Sequence, residues 1–341
     1  MNRRQLITRL SASGIMMGMT GTMAAAASVG RKDPPPAVRS RVLFANDLCG
    51  NADGLFAAVH AILSTASMDL RGIIGTGTNF PNQTAKRSVG LAQDMLAIMG
   101  RSAQVPVFMG ATSQMKDDIT PVRSAGTQAI IDEAKRTDTK LPLYIAVGGG
   151  LTEVASALLL EPEIAGKFTL VWIGGGSFPA GGFEFNAAID PVAFRYVFNQ
   201  SEVAIWQVPA DAYDTCHVSI SELRAYIQPC GPIGKWLMAR LSENIEQMGK
   251  MGLAPGSTWI LGDSPLVLLT ALTDNFPSSF KAPFTYDKTA SSTYSEIFVP
   301  RILNSGAYQE TVAGRKMRMY RKIDTRLMFG DMFAKFKIQG I

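Results

Sequence analysis

Asn46, Asp47, Asn51 and Asp53 crowd into nine residues together with Gly50 and Gly54. Carboxylate and amide oxygens at this density are the hard ligands that Ca²⁺ or Mg²⁺ takes, and an ionised carboxylate among them can serve as a general base. The same residues also suit an Asx-type turn in which Asp53 caps a following helix. Further along, Phe183-Glu-Phe-Asn186 precedes Asp190-Pro191. In an extended segment Glu184 and Asn186 share one side, and a carboxylate beside an amide suits a polyhydroxylated ligand such as a sugar. Asp263 stands between an apolar stretch and an apolar helical pattern, where an acid is either a helix cap or a buried ligand. Gly148-Gly-Gly-Leu-Thr152 follows an apolar run as a phosphate loop would, yet it lacks the GxGxxG spacing and no Walker lysine follows. A tight strand-to-helix turn needing glycine is the competing reading.

The elements that must position these groups are legible from periodicity. Val42 to Ala45 is an apolar run short enough for a buried strand, and Leu55, Val59, Ile62 and Leu63 share one face of a following helix. Strands are expected over residues 69–74, 105–109, 143–147 and 168–173, with helices over 84–99, 126–134 and 154–160 between them. Alternation of this kind predicts an α/β fold, one domain with a mainly parallel open sheet flanked by helices. Asp47 and Asn79 then fall just beyond strands, where open α/β sheets bind ligands.

At 341 residues, 47% hydrophobic and 18% charged, the chain is globular in composition. Residues 1–30 differ in kind: Arg3-Arg4 precedes an uncharged run rich in Ala, Gly, Met, Ser and Thr, with small residues at Ala24 to Ala27. This reads as a twin-arginine export signal cleaved near Ala27, with residues 31–40 a Pro-rich linker and 41–341 the catalytic domain. A periplasmic location follows, with no stable membrane anchor after cleavage. Losing Arg3, Arg4 and Arg9 lowers the formal charge of +5 to about +2. The basic stretch at residues 315–337 is broken by apolar residues at helical spacing, so it reads as a snorkelling terminal helix or an oligomer contact; no nucleic-acid partner is expected. Cys49, Cys216 and Cys230 contain no CxxC, and a Cys216–Cys230 pair is one open possibility. His60 reads as structural, and His217, after Asp211 and Asp214, as the better acid–base candidate.

Taken together, four blocks resemble the nucleoside hydrolases, the calcium-dependent N-ribosyl hydrolases. That family's opening Asp-x-Asp-x-Gly-x-Asp-Asp is matched by Asn46-Asp47 and Asp53-Gly54. Its second block is matched by Gly149-Gly-Leu-Thr-Glu153, its third by Phe183-Glu-Phe-Asn186 with Asp190-Pro191, and its fourth by Gly262-Asp263. The match is collinear from about residue 41 to 275. The resemblance implies Ca²⁺ held by Asp47, Asp53, Asp263 and the carbonyl of Gly148, and water activated by Asp47. It also implies ribose hydroxyls held by Asn79, Glu184 and Asn186, with Asp53 beside them. A nucleoside or related ribosyl substrate and a homodimer or homotetramer follow from the same likeness. The departures are specific: two extra residues enter the first block, Gly54 replaces a carboxylate, Gly262 replaces an imidazole, and Phe178 stands where a sugar-binding asparagine is expected. Two other readings stay open. One is a non-catalytic periplasmic sugar- or nucleoside-binding protein on the same fold. The other is a serine esterase using Ser264 in Gly262-Asp-Ser-Pro-Leu266, although no GxSxG occurs.

Overall fold

The computed structural model describes residues 38–253, 256–272 and 293–339. The proposed signal and most of the linker lie outside these residues. Eight strands form one sheet in the order β3-β2-β1-β4-β5-β6-β12-β9. They are β1 (Arg41–Asn46), β2 (Asp69–Gly75), β3 (Val107–Met109), β4 (Leu143–Gly148), β5 (Phe168–Ile173), β6 (Ala204–Val208), β9 (Tyr294–Phe298) and β12 (Lys316–Tyr320). All neighbours are parallel except β12 with β9. Short pairs β7 (His217–Ser219) with β8 (Thr258–Ile260), and β10 (Arg301–Ile302) with β11 (Tyr308–Gln309), lie outside this sheet.

Both faces are covered, which is why the central strands are apolar throughout rather than alternating. Val42 and Phe44 pack into one layer of core, and Leu43 and Ala45 into the other. The first layer includes α1 (Ala52–Leu63), α2 (Ala85–Ile98), α9 (Gly231–Lys250) and a C-terminal helix (Thr325–Gln339). The second includes α3 (Ala125–Lys135), α4 (Thr152–Leu160) and α6 (Pro191–Asn199). The short helices α5 (Phe185–Ile189), α7 (Ala210–Tyr213), α8 (Ile220–Tyr226) and α10 (Pro265–Val267) complete the connections. Strand order reverses between β1 and β4, so the crevice at their carboxyl ends is the switch point of the sheet.

Three expectations need correction. Val105 and Pro106 precede β3 rather than belong to it, because proline cannot donate to a ladder; the Pro106 carbonyl accepts from the Ile73 N–H instead. Residues 316–320 are not helical but a strand inserted between β6 and β9, with the terminal helix starting at Thr325. Arg318 there lies 4.2 Å from the Trp206 ring and 4.6 Å from that of Tyr294, so its charge rests on aromatic faces. Arg315 donates to the carbonyls of Val197, Phe198 and Val203. The three cysteines are unpaired thiols, and Cys216 is buried in the core.

Candidate active site

The chain leaves β1 at Asn46, which is fully buried and whose Nδ2 donates to Asp263 Oδ2 at 2.9 Å. Asp47 follows, its N–H donating to the Gly148 carbonyl at 3.2 Å across the switch point. Only glycine fits at 148: a Cβ there would lie 2.4 Å from both Asp263 Oδ1 and Asn46 Nδ2. The close approach of β4 to these side chains, rather than a phosphate site, accounts for this glycine. Helix α1 begins after Asn51, which takes the N-cap position without a capping side-chain bond. Asp53 instead lies in the first turn and accepts from the Gly54 N–H at 2.9 Å. Anions are favoured at such a helix start.

Glu184 caps α5. Its carboxylate accepts from the backbone N–H groups of Gly175 (2.7 Å), Ala187 (3.0 Å) and Asn186 (3.1 Å), and from the Tyr213 hydroxyl (2.9 Å). This fastens the glycine-rich loop to the site. Gly175, at φ +85°, meets the Tyr308 hydroxyl and Gln207 closely enough that a side chain would collide. Asn186 Nδ2 donates to the Ile173 carbonyl at the end of β5, leaving its amide oxygen for a ligand. Asn79 is held on both ends: its Nδ2 donates to the carbonyls of Ala188 and Ile189, and its Oδ1 accepts from Gln114.

Asp47, Asp53, Asn79, Glu184, Asn186 and Asp263 line one cavity of about 410 Å³. Gly148 is not on its wall and backs Asp263 from beneath. Burial lifts the Asp47 carboxyl well above the ordinary range, and the charges of Asp263, Asp53 and Glu184 lift it further. Asp53 is raised by burial and then by Asp263. Asp263 is pushed up to about 6 by burial, against the lowering effect of the Asn46 amide. Among the described residues no lysine, arginine or histidine lines this cavity. Buried Asp263 and half-buried Asp47 and Asp53, the last two raised by acidic neighbours and with no basic side chain on the cavity wall, form a site whose electrostatics favour an added cation. The Asn46 Oδ1, buried without a partner, adds a hard oxygen. The donor chemistry is that of a hard-cation site, although among the described residues no three His, Cys, Asp or Glu groups converge as a ready-made metal cluster.

Several other candidates fall elsewhere. His60 is buried on α1, with its Nε2 2.7 Å from Asp331 of the C-terminal helix. His217 is an exposed residue of β7, away from the cavity wall. The Ser264 hydroxyl is buried without a partner, and Ser264 does not line the cavity. Phe178 packs against Tyr308 and under the Arg321 guanidinium, 4.2 Å from its ring. Residues given no role from sequence also line the cavity. Tyr213 stands opposite Gly262, where a Cβ would come within 3.3 Å of the tyrosine ring and 3.4 Å of Asp53 Oδ2. Phe80, Phe183 and Phe185 form the wall nearest solvent and are 57%, 74% and 63% exposed. Such exposed aromatics against a carboxylate-lined hollow are the available signal, since a folded chain ordinarily buries them.

The profile of the inosine-uridine preferring nucleoside hydrolases matches residues 43–329. An inosine-uridine preferring nucleoside hydrolase from Crithidia fasciculata is 39% identical over 128 residues, covering 36% of this chain and 38% of the relative. A Leishmania major protein of the same description is 35% identical over 98 residues, covering 28% and 30%. The matched segments thus span under two fifths of these relatives' own length. Among solved structures, a purine-preferring ribonucleoside hydrolase from Gardnerella vaginalis superposes with a TM-score of 0.68 at 17% identity, over 88% of this chain and 99% of that one. An inosine-uridine preferring nucleoside hydrolase from Bacillus anthracis gives 0.61 at 16% identity, over 87% and 99%. These superpositions establish the shared fold, and the profile match spans both carboxylate blocks and both short polar motifs of the cavity. The chain belongs to the inosine-uridine preferring nucleoside hydrolase family.

Proposed function

We propose that this protein hydrolyses the N-glycosidic bond of a ribonucleoside or related ribosyl compound, with calcium as its cofactor. The observation that carries the reading is the cluster of three carboxylates at the switch point, buried Asp263 and half-buried Asp47 and Asp53, with the charge of Asp263 raising the pKa of the other two. Asp47, Asp53 and Asp263 would hold the ion, with the Gly148 carbonyl and Asn46 Oδ1 as the nearby neutral oxygens. Bound calcium supplies Lewis acidity toward water and an anchor for a vicinal diol.

The chain's own groups do the rest. Asp47, on the cavity wall just after β1, accepts the proton of the attacking water. As the C1′–N bond breaks, positive charge grows on the sugar, and the surrounding carboxylates stabilise it. Asn186 and Glu184 orient the ribose, with Glu184 held in place by its four hydrogen bonds. Phe80, Phe183 and Phe185 offer faces and edges to a planar leaving base. Gly262 supplies no proton donor; the Tyr213 ring stands beside that position with its hydroxyl donating to Glu184. Residues 1–30 support export by the twin-arginine route to the periplasm, which fractionation of a tagged Arg3→Lys, Arg4→Lys variant would test: retention of unprocessed protein in the cytoplasm is expected. The activity itself is tested by incubating calcium-loaded mature protein with inosine and uridine and assaying free ribose. Release of ribose from at least one supports the reading. Binding without release would favour the non-catalytic alternative.

A further inference from the structure

Breaking an N-glycosidic bond leaves an electron pair on the base nitrogen, and a neutral base departs readily only when an acid protonates it. The chain has two histidines in all. His60 is buried on α1 against Asp331, and His217 is exposed on β7, off the cavity wall. Gly262, beside Asp53, carries no side chain, and Tyr213 closes the space: a Cβ at 262 would lie 3.3 Å from the tyrosine ring. The Tyr213 hydroxyl gives its hydrogen to Glu184 at 2.9 Å, and burial, then the charge of Glu184, hold the phenol well above its ordinary range. Other side-chain donors on the wall are amides and the Thr78 hydroxyl, which donates to Gln83 at 2.6 Å. The carboxyl groups are committed elsewhere, Asp47, Asp53 and Asp263 to the ion and Glu184 to the four hydrogen bonds it accepts. Among the described residues, then, no group on this wall is fitted to protonate a leaving base at neutral pH.

The same wall suits positive charge. Its four carboxyl groups are two more than a divalent ion offsets, and among the described residues no basic side chain stands with them. Toward solvent, the Phe183 and Phe185 rings meet edge to face with centroids 5.3 Å apart, and Phe80 lines the same cavity. A cleft lined by one sign of charge concentrates ligands of the other, and aromatic faces attract a cation that has shed part of its water. A neutral base gains little from either. A ring that carries positive charge at the glycosidic nitrogen gains from both and needs no proton to leave. Water adds to C1′, and the C1′–N bond breaks with its electron pair returning to the ring nitrogen. The ring departs neutral, and the water's proton passes to Asp47 and then to solvent.

Building on the hydrolase reading, we propose that the preferred substrate is a riboside whose leaving group is a cationic heteroaromatic ring, of the N-ribosylpyridinium class, which departs without a general acid. The test measures ribose release by calcium-loaded mature protein from 1-ribosylpyridinium-3-carboxamide, inosine and uridine. The 1,4-dihydropyridine form of the first compound, close to it in shape but uncharged, serves as a competitive inhibitor. The kcat/KM for the pyridinium riboside should exceed that for either neutral nucleoside by about 10²-fold or more, the lower end of what a positioned acid contributes and those two must forgo. A smaller ratio overturns the proposal. The dihydropyridine should bind more weakly, with a Ki about threefold or more above the KM of the pyridinium riboside, and a smaller gap overturns the part played by charge. Ribose from inosine or uridine without faster turnover of the pyridinium riboside leaves the hydrolase standing and removes this proposal. Ribose from none of the three removes both.

Discussion

At the residue scale, the site is held by a few close approaches that leave little freedom. Asn46 pins Asp263, Gly148 leaves room for both, and Asp47 hangs from the Gly148 carbonyl. Asp47→Asn should lower turnover by about 10²–10⁴-fold, the range for removing a positioned base. In chelator it should also raise the thermal midpoint, because a half-buried carboxyl crowded by like charges is removed. Calcium titration followed by a thermal melt checks both. Replacing Gly54 by the family's aspartate should not rebuild a ligand. A Cβ at 54 would lie 2.1 Å from Asn46 Oδ1, so Gly54→Asp should cost roughly 2–4 kcal/mol by denaturant titration and weaken calcium binding. This departure from the family pattern is thus matched by the neighbouring Asn46 side chain.

Glu153 gives a pH signature of its own. Its folded-state pKa of about 7 lies above the ordinary glutamate value, so its stabilising contribution is present at low pH and is lost as pH rises through 7. Glu153→Gln should therefore match the parent near pH 4 and exceed it by about 2–3 kcal/mol at pH 8. Paired denaturation curves at the two pH values check it; an unchanged difference would contradict it.

At the scale of elements, the central strands through the first half of the chain were legible because their apolar runs are unbroken: β5 spans residues 168–173, as the run predicts. The polar residues after β1 and within the Glu184 motif were legible as clusters for the same reason, since polar groups interrupt otherwise apolar runs. What the sequence could not disclose was pairing over distance. Strand β12 reads as part of a basic stretch because its charges are placed by partners more than a hundred residues away: Arg315 on Val197, Phe198 and Val203, and Arg318 on Trp206. Tyr213 carries no local motif, and only the fold brings it against Glu184 and Gly262. The use of Glu184 as a helix cap follows from a neighbouring loop that sequence spacing does not position.

At the scale of the whole molecule, the far end of the chain braces the site's helix. The C-terminal helix packs on α1, where Asp331 meets the buried His60 and Lys335 donates to Ser64 Oγ. Burial lowers the His60 pKa, while its hydrogen bond to Asp331 works in the opposite direction. Asp331→Ala should cost roughly 1–3 kcal/mol, the penalty for leaving a buried polar group unsatisfied, read as a shift in urea midpoint without a change in slope. Removing residues 315–341 should do more than loosen this brace, since β12 lies inside the sheet between β6 and β9; loss of cooperative unfolding is expected in circular dichroism.

The central claim joins the carboxylate cluster to a calcium-dependent cleavage of a ribosyl bond. The most direct measurement is free ribose released from inosine and uridine by the mature protein, first with calcium, then after chelation, then with calcium restored. Turnover should disappear with the chelator and return with the ion. Turnover indifferent to chelation, or tight calcium and nucleoside binding with no ribose released, would contradict it.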